Sequence, residues 1–301
     1  MTSPLSDRLV RYADLVPCRD AFIDTRSPGS DAKENFTIIG PGVSENPNQH
    51  VHIAEAHGFN IGGARQPPGC TNSQHSHDTE EVFFVHTGEW AFRLGEHGET
   101  AEIVLRPGDL ISIPTQVFRG FENVGTGEGF LWAVLGGDDP GRVLWAPKVF
   151  DMARDYGLVL LENGNLVDVG AGEAVPEGAV PMPRTSTAQV EALQVLDNGA
   201  LAACCVMDST AAHTPLIGPD APLSRDHGFT VDRHRLPAGG RTDALTLDAP
   251  DVLFVHDGAL TLDVDGERVS MAAGDTFTVP RGAARRIYTE SGADYLRVRG
   301  A

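Results

Sequence analysis

The chain contains 301 residues, which is enough for about two domains that each bury a sizeable core. Its 42 acidic and 23 basic residues give a net charge of −19, which argues against nucleic acid and anionic membrane surfaces as partners. No apolar run is long enough to cross a membrane, and the N-terminal segment lacks the apolar stretch of a signal peptide. The four cysteines form no CxxC pair or disulfide framework, so we expect a cytoplasmic protein.

The first half of the chain is dominated by β-type sequence. A short helical pattern in residues 1–16 precedes a loop and a β-rich segment at residues 34–40, and we assign residues 1–49 to an N-terminal extension. From residue 50 to residue 137, short β-rich runs alternate with Gly and Pro, which is typical of an all-β barrel or sandwich. Residues 50–145 are therefore predicted to form a first barrel.

An internal repeat indicates a second domain of the same fold. Residues 57–88 align with residues 227–258 at a constant offset of 170, and 12 of these 32 positions are identical. The segment RPGDLISIP at residues 106–114 likewise matches AAGDTFTVP at residues 272–280. Two copies of this length are too long and too few for a solenoid. The repeat therefore indicates a duplicated domain, and we assign residues 201–301 to a second barrel.

Residues 146–200 are predicted to form a connector with short helices and one hairpin. Pro147 suits the first turn of a helix that ends near Gly157. Asn163–Gly164 suits a hairpin turn, and Ser186 with Gln189 has the spacing of a capping box at the start of a second helix. The apolar run that follows, LAACCVM at 201–207, is predicted to be a buried strand of the second barrel.

The most informative stretch of the sequence is GCTNSQHSHDTEEVFFVHTG, residues 69–88. His75 and His77 alternate on a predicted strand, so both imidazoles lie on the same face of that strand. A turn after His77 could return the carboxylate of Glu81 to this face. Two imidazoles and a carboxylate that converge are the ligands of an open divalent-metal site.

The spacing G-x5-H-x-H-x3-E-x6-G, from Gly69 to Gly88, resembles the first motif of the cupin superfamily. The resemblance implies an all-β fold of two cupin barrels, each a double-stranded β-helix or jelly roll, joined by a short helical connector. It also implies that His75, His77 and Glu81 lie inside the mouth of the first barrel and hold a metal ion. The chain thus resembles the two-barrel cupins, or bicupins, some of which are mononuclear-metal dioxygenases.

The second cupin motif, G-x5-P-x-G-x2-H-x3-N, is only partly present. Gly108, Pro114 and Asn123 match it, whereas Gln116 replaces a glycine and Arg119 replaces the histidine that supplies a fourth ligand. Arginine cannot ligate a metal, because it stays protonated in proteins. Three ligands still suit Fe(II) and oxygen chemistry, and they also suit zinc, manganese or nickel. We expect Arg119 to be a catalytic residue that binds the anionic group of a substrate.

The second barrel lacks the two histidines. Leucines occupy their positions, Leu245 and Leu247, so we expect no metal in this barrel. Asp251 and Arg285 nevertheless stand at the positions of Glu81 and Arg119. A carboxylate and an arginine in both copies leave open the alternative that each barrel contains a structural ion pair.

Side chains that share the strand parity of the ligands are expected to line the pocket of the first barrel. The residues that we assign to substrate binding in this way are Thr71, Ser73, Phe83 and Phe121, together with Arg119. Such a mixed lining suits a small organic ligand, for example an aromatic one. Four histidines recur in both repeats, although only one repeat has a candidate site, and they are expected to be structural: His57, His227, His86 and His256.

The leading interpretation is an iron-type, metal-dependent oxygenase of small anionic aromatic or enolic compounds, with its site in the first barrel. One alternative is a non-catalytic bicupin that binds a small ligand and uses Glu81 and Arg119 as a structural ion pair. Another alternative keeps the metal as a Lewis acid for isomerisation or hydrolysis without oxygen. The expected partner is a small anionic molecule, and the resemblance to cupins also suggests a homodimer.

Overall fold

The computed structural model describes residues 4–300, and within this range it contains 23 strands, three short α-helices and three 3-10 helices. The strands form two barrels, one from each half of the chain. The all-β, two-barrel fold predicted from the sequence is therefore confirmed. No helix among the described residues is long and apolar enough to span a membrane.

The N-terminal segment does not form the helix that its apolar pattern predicts. Two 3-10 helices, Leu5–Arg8 and Tyr12–Asp14, flank the short strand β1 (Leu9–Val10). Leu5 and Val10 are buried against the second half of the chain, so that packing and strand pairing override the local helical pattern. The first three residues of the predicted helix lie outside the described residues.

Eleven strands build the first barrel. They are β2 (Glu34–Ile39), β3 (Val51–Ile53), β4 (Phe59–Gln66), β5 (Thr71–His77), β6 (Glu81–Thr87), β7 (Trp90–Leu94), β8 (Ala101–Leu105), β9 (Leu110–Ile113), β10 (Arg119–Asn123), β11 (Gly129–Gly136) and β12 (Val143–Trp145). One sheet has the order β12-β5-β10-β7-β8, and the other contains β9-β6-β11-β4-β2-β3. The segment assigned to the N-terminal extension thus contributes β2 to this barrel.

The connector contains α1 (Pro147–Asp155), β13 (Leu158–Leu160), β14 (Leu166–Asp168), α2 (Thr187–Glu191) and α3 (Asn198–Ala202). Pro147 occupies the first turn of α1, as predicted. β13 and β14 form the predicted antiparallel hairpin. Ser186 and Gln189 form the predicted capping box of α2. These local predictions are confirmed because each depends on turn and cap chemistry within a few residues.

The prediction that residues 201–207 form a buried strand of the second barrel is wrong. Residues 201 and 202 belong to α3, and the only strand there is β15 (Cys205–Val206). β15 pairs with β9 of the first barrel, where Cys205 lies opposite Ile111. Leu201 and Cys204 are buried in the core of that same barrel. A short apolar strand can pair with the edge strand of either barrel, so its sequence does not determine which barrel it joins.

The second barrel is built from β16 (His213–Ile217), β17 (Phe229–Leu236), β18 (Leu245–Thr246), β19 (Asp251–Val264), β20 (Glu267–Ala272), β21 (Thr276–Val279), β22 (Ala284–Tyr288) and β23 (Ala293–Gly300). Its main sheet has the order β21-β19-β23-β17-β16. β1 pairs with the β21 edge, where Leu9 lies opposite Phe277. Each barrel therefore receives an edge strand from the segment that precedes the other barrel.

A shared hydrophobic core joins the two barrels. In β6, Val82 and Phe84 point into this core, whereas Phe83 and Val85 point into the first barrel. β19 repeats the pattern with an apolar run that also buries both of its faces, which explains why these strands do not alternate with polar residues. Phe254 of β19 contributes to the shared core and stacks on Trp132, with 4.7 Å between ring centroids.

Candidate metal site

The structure brings His75, His77 and Glu81 together in the first barrel. The histidines end β5 in one sheet, and Glu81 begins β6 in the other sheet, after a three-residue turn. One potential ligand atom from each of the three side chains lies within 4.8 Å of the other two. All three residues are buried, at 2–4% exposure. The two strands thus bring the three potential metal ligands together at one buried point.

His75 is oriented for ligation by the atoms around its ring. Its Nδ1 lies 2.7 Å from the carbonyl oxygen of Ser73 and donates to it, which leaves the lone pair of Nε2 free. The ring packs against Trp145, with 5.3 Å between centroids. The indole Nε1 of Trp145 in turn donates to Glu45 Oε1 at 2.6 Å. Trp145, which is held by Glu45, therefore restrains the orientation of the His75 ring.

His77 has a buried ring nitrogen with no partner. Among the described residues, no hydrogen bond reaches its Nδ1, and its Nε2 comes no closer than 3.5 Å to Glu81 Oε2. A buried polar atom is normally hydrogen-bonded, so an imidazole whose Nδ1 has no partner and whose Nε2 lies near a carboxylate leaves room for a bound ligand. The donor set of two imidazoles and one carboxylate therefore fits a divalent cation.

Both imidazoles are held in the uncharged form that a metal requires. Burial lowers the pKa of His75 to about 3, and the nearby His77 and Arg119 add to this effect. Burial and the charge of Arg119 also lower the pKa of His77 well below its ordinary value. A cation therefore does not have to displace protons from these rings at neutral pH.

Glu81 is also paired with Arg119, which pairs across the sheet with His75 on the neighbouring strand. Arg119 donates to Glu81 Oε2 from Nη2 at 2.7 Å and from Nε at 3.2 Å. Its Nη1 donates to the carbonyl oxygen of Val117 at 3.3 Å, and its side chain is fully buried. The guanidinium thus binds the same oxygen of Glu81 that lies nearest His77 Nε2, and all three of its nitrogens are engaged.

A cavity of about 70 Å³ opens beside the three candidate ligands. Its walls are largely apolar and include five aromatic side chains, from Phe22, Phe36, Phe83, Phe121 and Trp145. The polar part of the lining consists of the ligands and a few short side chains from β2, from β5 and from the loop that follows β2. The cavity thus has the character of a site for a small organic molecule.

Of the residues predicted to line this cavity, Phe83 and Phe121 do so, but Thr71, Ser73 and Arg119 do not. A β-bulge between β5 and β10 explains why Thr71 and Ser73 of β5 do not line the cavity. Arg119 lies opposite His75, whereas Phe121, two residues later, lies opposite Asn72. The bulge reverses the alternation of side chains before His75. Asn72 therefore faces the cavity, and Thr71 and Ser73 border a separate surface depression.

Two asparagines that the sequence did not single out also face the cavity. Asn35 of β2 has a buried Nδ2 without a partner among the described residues. Asn72 accepts a hydrogen bond from Lys33, at 2.9 Å between Nζ and Oδ1. Lys33 is 1% exposed and forms an ion pair with Asp24, which is fully buried. The sequence contains one indication that Lys33 has a particular role, because it is one of only two lysines in a chain with 21 arginines.

The second barrel repeats the ion pair without the histidines. Asp251 accepts a hydrogen bond from Arg285 Nε at 2.5 Å, as Glu81 does from Arg119. Leu245 and Leu247 are half-buried at the positions that the histidines occupy in the first barrel. The carboxylate–arginine pair is thus common to both barrels, and the imidazoles belong to the first alone.

The four recurrent histidines lie between the barrels. His57 Nε2 accepts from Thr278 Oγ1 at 2.5 Å, and His227 Nε2 accepts from Ser112 Oγ at 2.6 Å. In both rings Nδ1 is bound to a backbone carbonyl, which fixes these roles. The Nδ1 atoms of the other pair, His86 and His256, lie 3.3 Å apart on the approximate twofold axis. These contacts support the structural role predicted for them.

Comparison with known proteins agrees with this architecture. The model of the cupin domain family matches the chain twice, at residues 64–135 and 234–298. No curated protein sequence gives a significant match.

Solved structures superimpose on 90–100% of the chain at low sequence identity. Oxalate decarboxylase of Lactobacillus farciminis is 11% identical, with a TM-score of 0.61 over 100% of this chain and 87% of that one. Salicylate 1,2-dioxygenase of Pseudoaminobacter salicylatoxidans is 15% identical, with a TM-score of 0.56 over 97% and 80%. Procruciferin, an 11S globulin of Brassica napus, is 13% identical, with a TM-score of 0.59 over 90% and 80%.

These neighbours include a decarboxylase, a dioxygenase and a globulin, so that their likeness establishes the fold and not a reaction. The two matches to the family model, the two barrels and the repeated motifs agree with one another. The chain is a bicupin, a member of the cupin family with two cupin domains in tandem.

Proposed function

We propose that the first barrel is the active site of an oxygenase that uses a single divalent iron ion and acts on small anionic compounds, aromatic or enolic. The observation that carries the proposal is the convergence of His75, His77 and Glu81 on one wall of a largely apolar cavity. His75 Nε2 and one nitrogen of His77 would hold the ion together with the carboxylate.

Bound Fe(II) would supply open coordination positions at which a substrate and oxygen can meet. The protein contributes the rest. The buried imidazoles stay uncharged, the turn between β5 and β6 fixes the distance between the two sheets, and the apolar walls exclude bulk water.

The charge of the site favours an anionic substrate. Arg119 neutralises Glu81, so that the ion would keep an uncompensated double positive charge in a surrounding of low dielectric. Asn35 lines the same cavity with a free donor, Nδ2, which could bind a carboxylate or enolate oxygen. The aromatic side chains of Phe83, Phe121 and Trp145 would pack against a planar ring.

We infer a different role for Arg119 than that of a substrate clamp. Its nitrogens are engaged by Glu81 and Val117, and it does not reach the cavity lining. Arg119 would instead be a positioning residue that holds the carboxylate of Glu81 in place and reduces its negative charge. It would thereby strengthen the attraction of the site for an anion while weakening its attraction for the metal.

The first experiment is metal analysis of the protein purified without chelators, compared with His75→Ala and His77→Ala. The matched control is His97→Ala, because His97 is exposed and belongs to the same barrel. We expect about one metal ion per chain in the wild type and in the control, and none in the two ligand variants. Equal metal content in all four proteins would reject the site.

The second experiment tests the reaction. The metal-free protein is loaded with Fe(II) under anaerobic conditions, and oxygen uptake is then measured over hydroxylated aromatic acids, catechols and diketones. We expect consumption of oxygen with at least one of these acids or enols, and none with His77→Ala. A protein that binds zinc tightly and consumes no oxygen would instead support Lewis-acid chemistry.

A non-catalytic ligand-binding protein is the second candidate, and one observation favours it. The carboxylate–arginine pair is present in the second barrel, where the histidines are absent, so that the pair by itself does not require a metal. Absence of metal from the wild type, together with saturable binding of an aromatic acid in the first barrel, would support this function.

A further inference from the structure

The interior of the second barrel is charged at positions where the first barrel is apolar. The two barrels pair their strands in the same register, so that their interior positions correspond. In the first barrel these positions hold Gly62, Ala64, Ala133 and Leu135, which line the cavity. In the second barrel they hold Asp232, His234, Arg297 and Arg299. The positions that form a cavity wall in the first barrel thus hold a cluster of ionisable side chains in the second.

This cluster contains more positive than negative charge. Asp251 accepts from Arg285 Nε at 2.5 Å and from Arg297 Nε at 2.8 Å. Asp232 accepts from Arg299 Nη2 at 2.6 Å. Three guanidinium groups therefore share two carboxylates. Burial and the neighbouring guanidinium groups lower the pKa of Arg297, which reflects this crowding of positive charge.

Several donors of the cluster have no acceptor. Buried nitrogens without a partner among the described residues are Arg285 Nη2, Arg297 Nη2, Arg299 Nε and His234 Nε2. Arg285 is itself only 4% exposed. Buried guanidinium nitrogens that lack an acceptor are unfavourable, because each loses its hydration without replacement. An oxyanion would satisfy both the excess charge and these donors.

The cluster reaches the surface at one side of the barrel. Tyr295, His234 and His213 form a stack of rings, with centroids 5.1 Å and then 4.6 Å apart. The side chain of His213 is 54% exposed, and that of Arg299 is 38% exposed. The cluster thus extends from the buried Arg285 to solvent-exposed side chains on β16 and β23.

We propose that the second barrel binds a small oxyanion, a carboxylate or phosphate group, between the guanidinium groups of Arg285, Arg297 and Arg299. Guanidinium presents paired N–H donors that match two oxygens of such a group. The site is independent of the metal site in the first barrel and gives the second barrel a ligand of its own.

A cation is a poorer fit to the same cluster. His213, Asp232 and His234 do place potential ligand atoms within 4.8 Å of one another. The two rings, however, stack nearly parallel, at 23°, and Asp232 is already bound to Arg299. A divalent ion would also add to the excess positive charge.

The test is calorimetric titration of the full-length protein with inorganic phosphate and, in parallel, with malonate, both at constant ionic strength. We expect one anion to bind per chain. Arg297→Gln should weaken binding at least about tenfold, because it removes the excess charge and two donors. This variant leaves Arg285 and Arg299 to pair with the two carboxylates, so its fold is expected to persist. Arg286→Gln is the matched control, since Arg286 lies on the same strand as Arg285 but faces solvent, and it should change binding less than about twofold.

The two titrants separate the sources of the anion: saturable binding of phosphate alone supports a phosphate group, and saturable binding of malonate alone supports a carboxylate. Crystals of the wild type soaked in selenate give an answer that does not depend on a variant, because an anomalous peak between Arg285 and Arg297 supports the site. The proposal is overturned if neither anion saturates the wild type, if Arg297→Gln binds as tightly as the wild type, or if selenate is found only elsewhere. It is also overturned if zinc binds in this barrel and His213→Ala abolishes that binding.

Discussion

Arg119 donates two hydrogen bonds to a single oxygen of Glu81, at 2.7 and 3.2 Å, and its guanidinium is fully buried. A metal ion bound at the proposed site would therefore share this carboxylate with the guanidinium. Arg119 would partner Glu81 in the metal-free barrel and would oppose the metal through charge repulsion.

Replacement of Arg119 by leucine should separate these two effects. Without metal, Arg119→Leu leaves a buried carboxylate unpaired, and we expect the free energy of unfolding to fall by about 3–5 kcal/mol. The same variant should bind a divalent cation at least about tenfold more tightly than the wild type, because the repulsive charge is gone. Chemical denaturation with and without Mn²⁺ or Zn²⁺ measures both quantities.

The second barrel offers the matched control for this experiment. Arg285→Leu removes the equivalent arginine, and Asp251 then keeps Arg297 as a partner. This variant should be destabilised less, and metal should restore none of its stability. Rescue of Arg285→Leu by metal, or failure of metal to rescue Arg119→Leu, would contradict the role given to Glu81.

The bulge that turns Asn72 into the cavity depends on Gly120. A Cβ atom at this position would lie 1.9 Å from Gln74 Oε1 and 2.7 Å from the backbone oxygen of Asn72. Gly120→Ala should therefore displace β5 and lower the free energy of unfolding by about 1–3 kcal/mol. Gly127→Ala is the control, because nothing lies within 4 Å of its added Cβ. Urea denaturation of the two variants measures the difference, and equal stability would show that the bulge tolerates a side chain.

Glu45 should give the protein a characteristic dependence on pH. Burial raises the pKa of this carboxyl from an ordinary value of 4.5 to about 8, although Trp145 and the backbone of Ile23 donate to it. Between these two values the unfolded chain is ionised and the folded chain is protonated. The contribution of Glu45 to stability is therefore fully present below about pH 4.5 and is lost as the pH rises towards 8, by roughly 1.4 kcal/mol per pH unit.

The measurement is the free energy of unfolding from pH 4 to pH 9 in the wild type and in Glu45→Gln. Glutamine does not titrate, so this part of the slope should vanish, and the variant should gain stability relative to the wild type as the pH increases. Parallel curves for the two proteins would mean that Glu45 is ionised in the folded protein. A constant offset between the curves is expected, because glutamine accepts only one of the two hydrogen bonds.

The equivalent histidines between the barrels, His57 and His227, are expected to contribute similarly to stability. Thr278→Val removes the donor to His57, and Ser112→Ala removes the donor to His227. Each substitution leaves a buried ring nitrogen without a partner and should lower the free energy of unfolding by about 1–3 kcal/mol. Thermal denaturation measures both. A large effect at one site and none at the other would mean that the approximate symmetry does not extend to the energetics.

Much of the candidate site was predictable because it depends on spacing within a single strand and turn. The alternation of His75 and His77 places both imidazoles on one face, and the short turn before Glu81 allows its carboxylate to return to them. Asn72 was missed because a bulge changes parity, and the bulge arises from contacts between β5 and β10 that no local pattern encodes.

The limits of the fold prediction have the same origin. The two barrels follow from a repeat of 170 residues, and the caps and the hairpin follow from local chemistry. The assignment of residues 201–207 and of the N-terminal segment depended instead on which distant edge an apolar strand joins. Edge pairing joins residues that are distant in the sequence, and a short apolar strand can pair with any of several edges.

The exchange of edge strands has a consequence for any attempt to divide the protein. β1 completes the sheet of the second barrel, and β15 completes that of the first. A cut in the connector before β15 would therefore yield two fragments that each carry the other's missing strand and expose a bare edge. A circular permutant that moves residues 4–16 to follow Gly300, when cut after β15, would keep every strand with the barrel it serves, and such a cut would expose only the apolar core that the two barrels share.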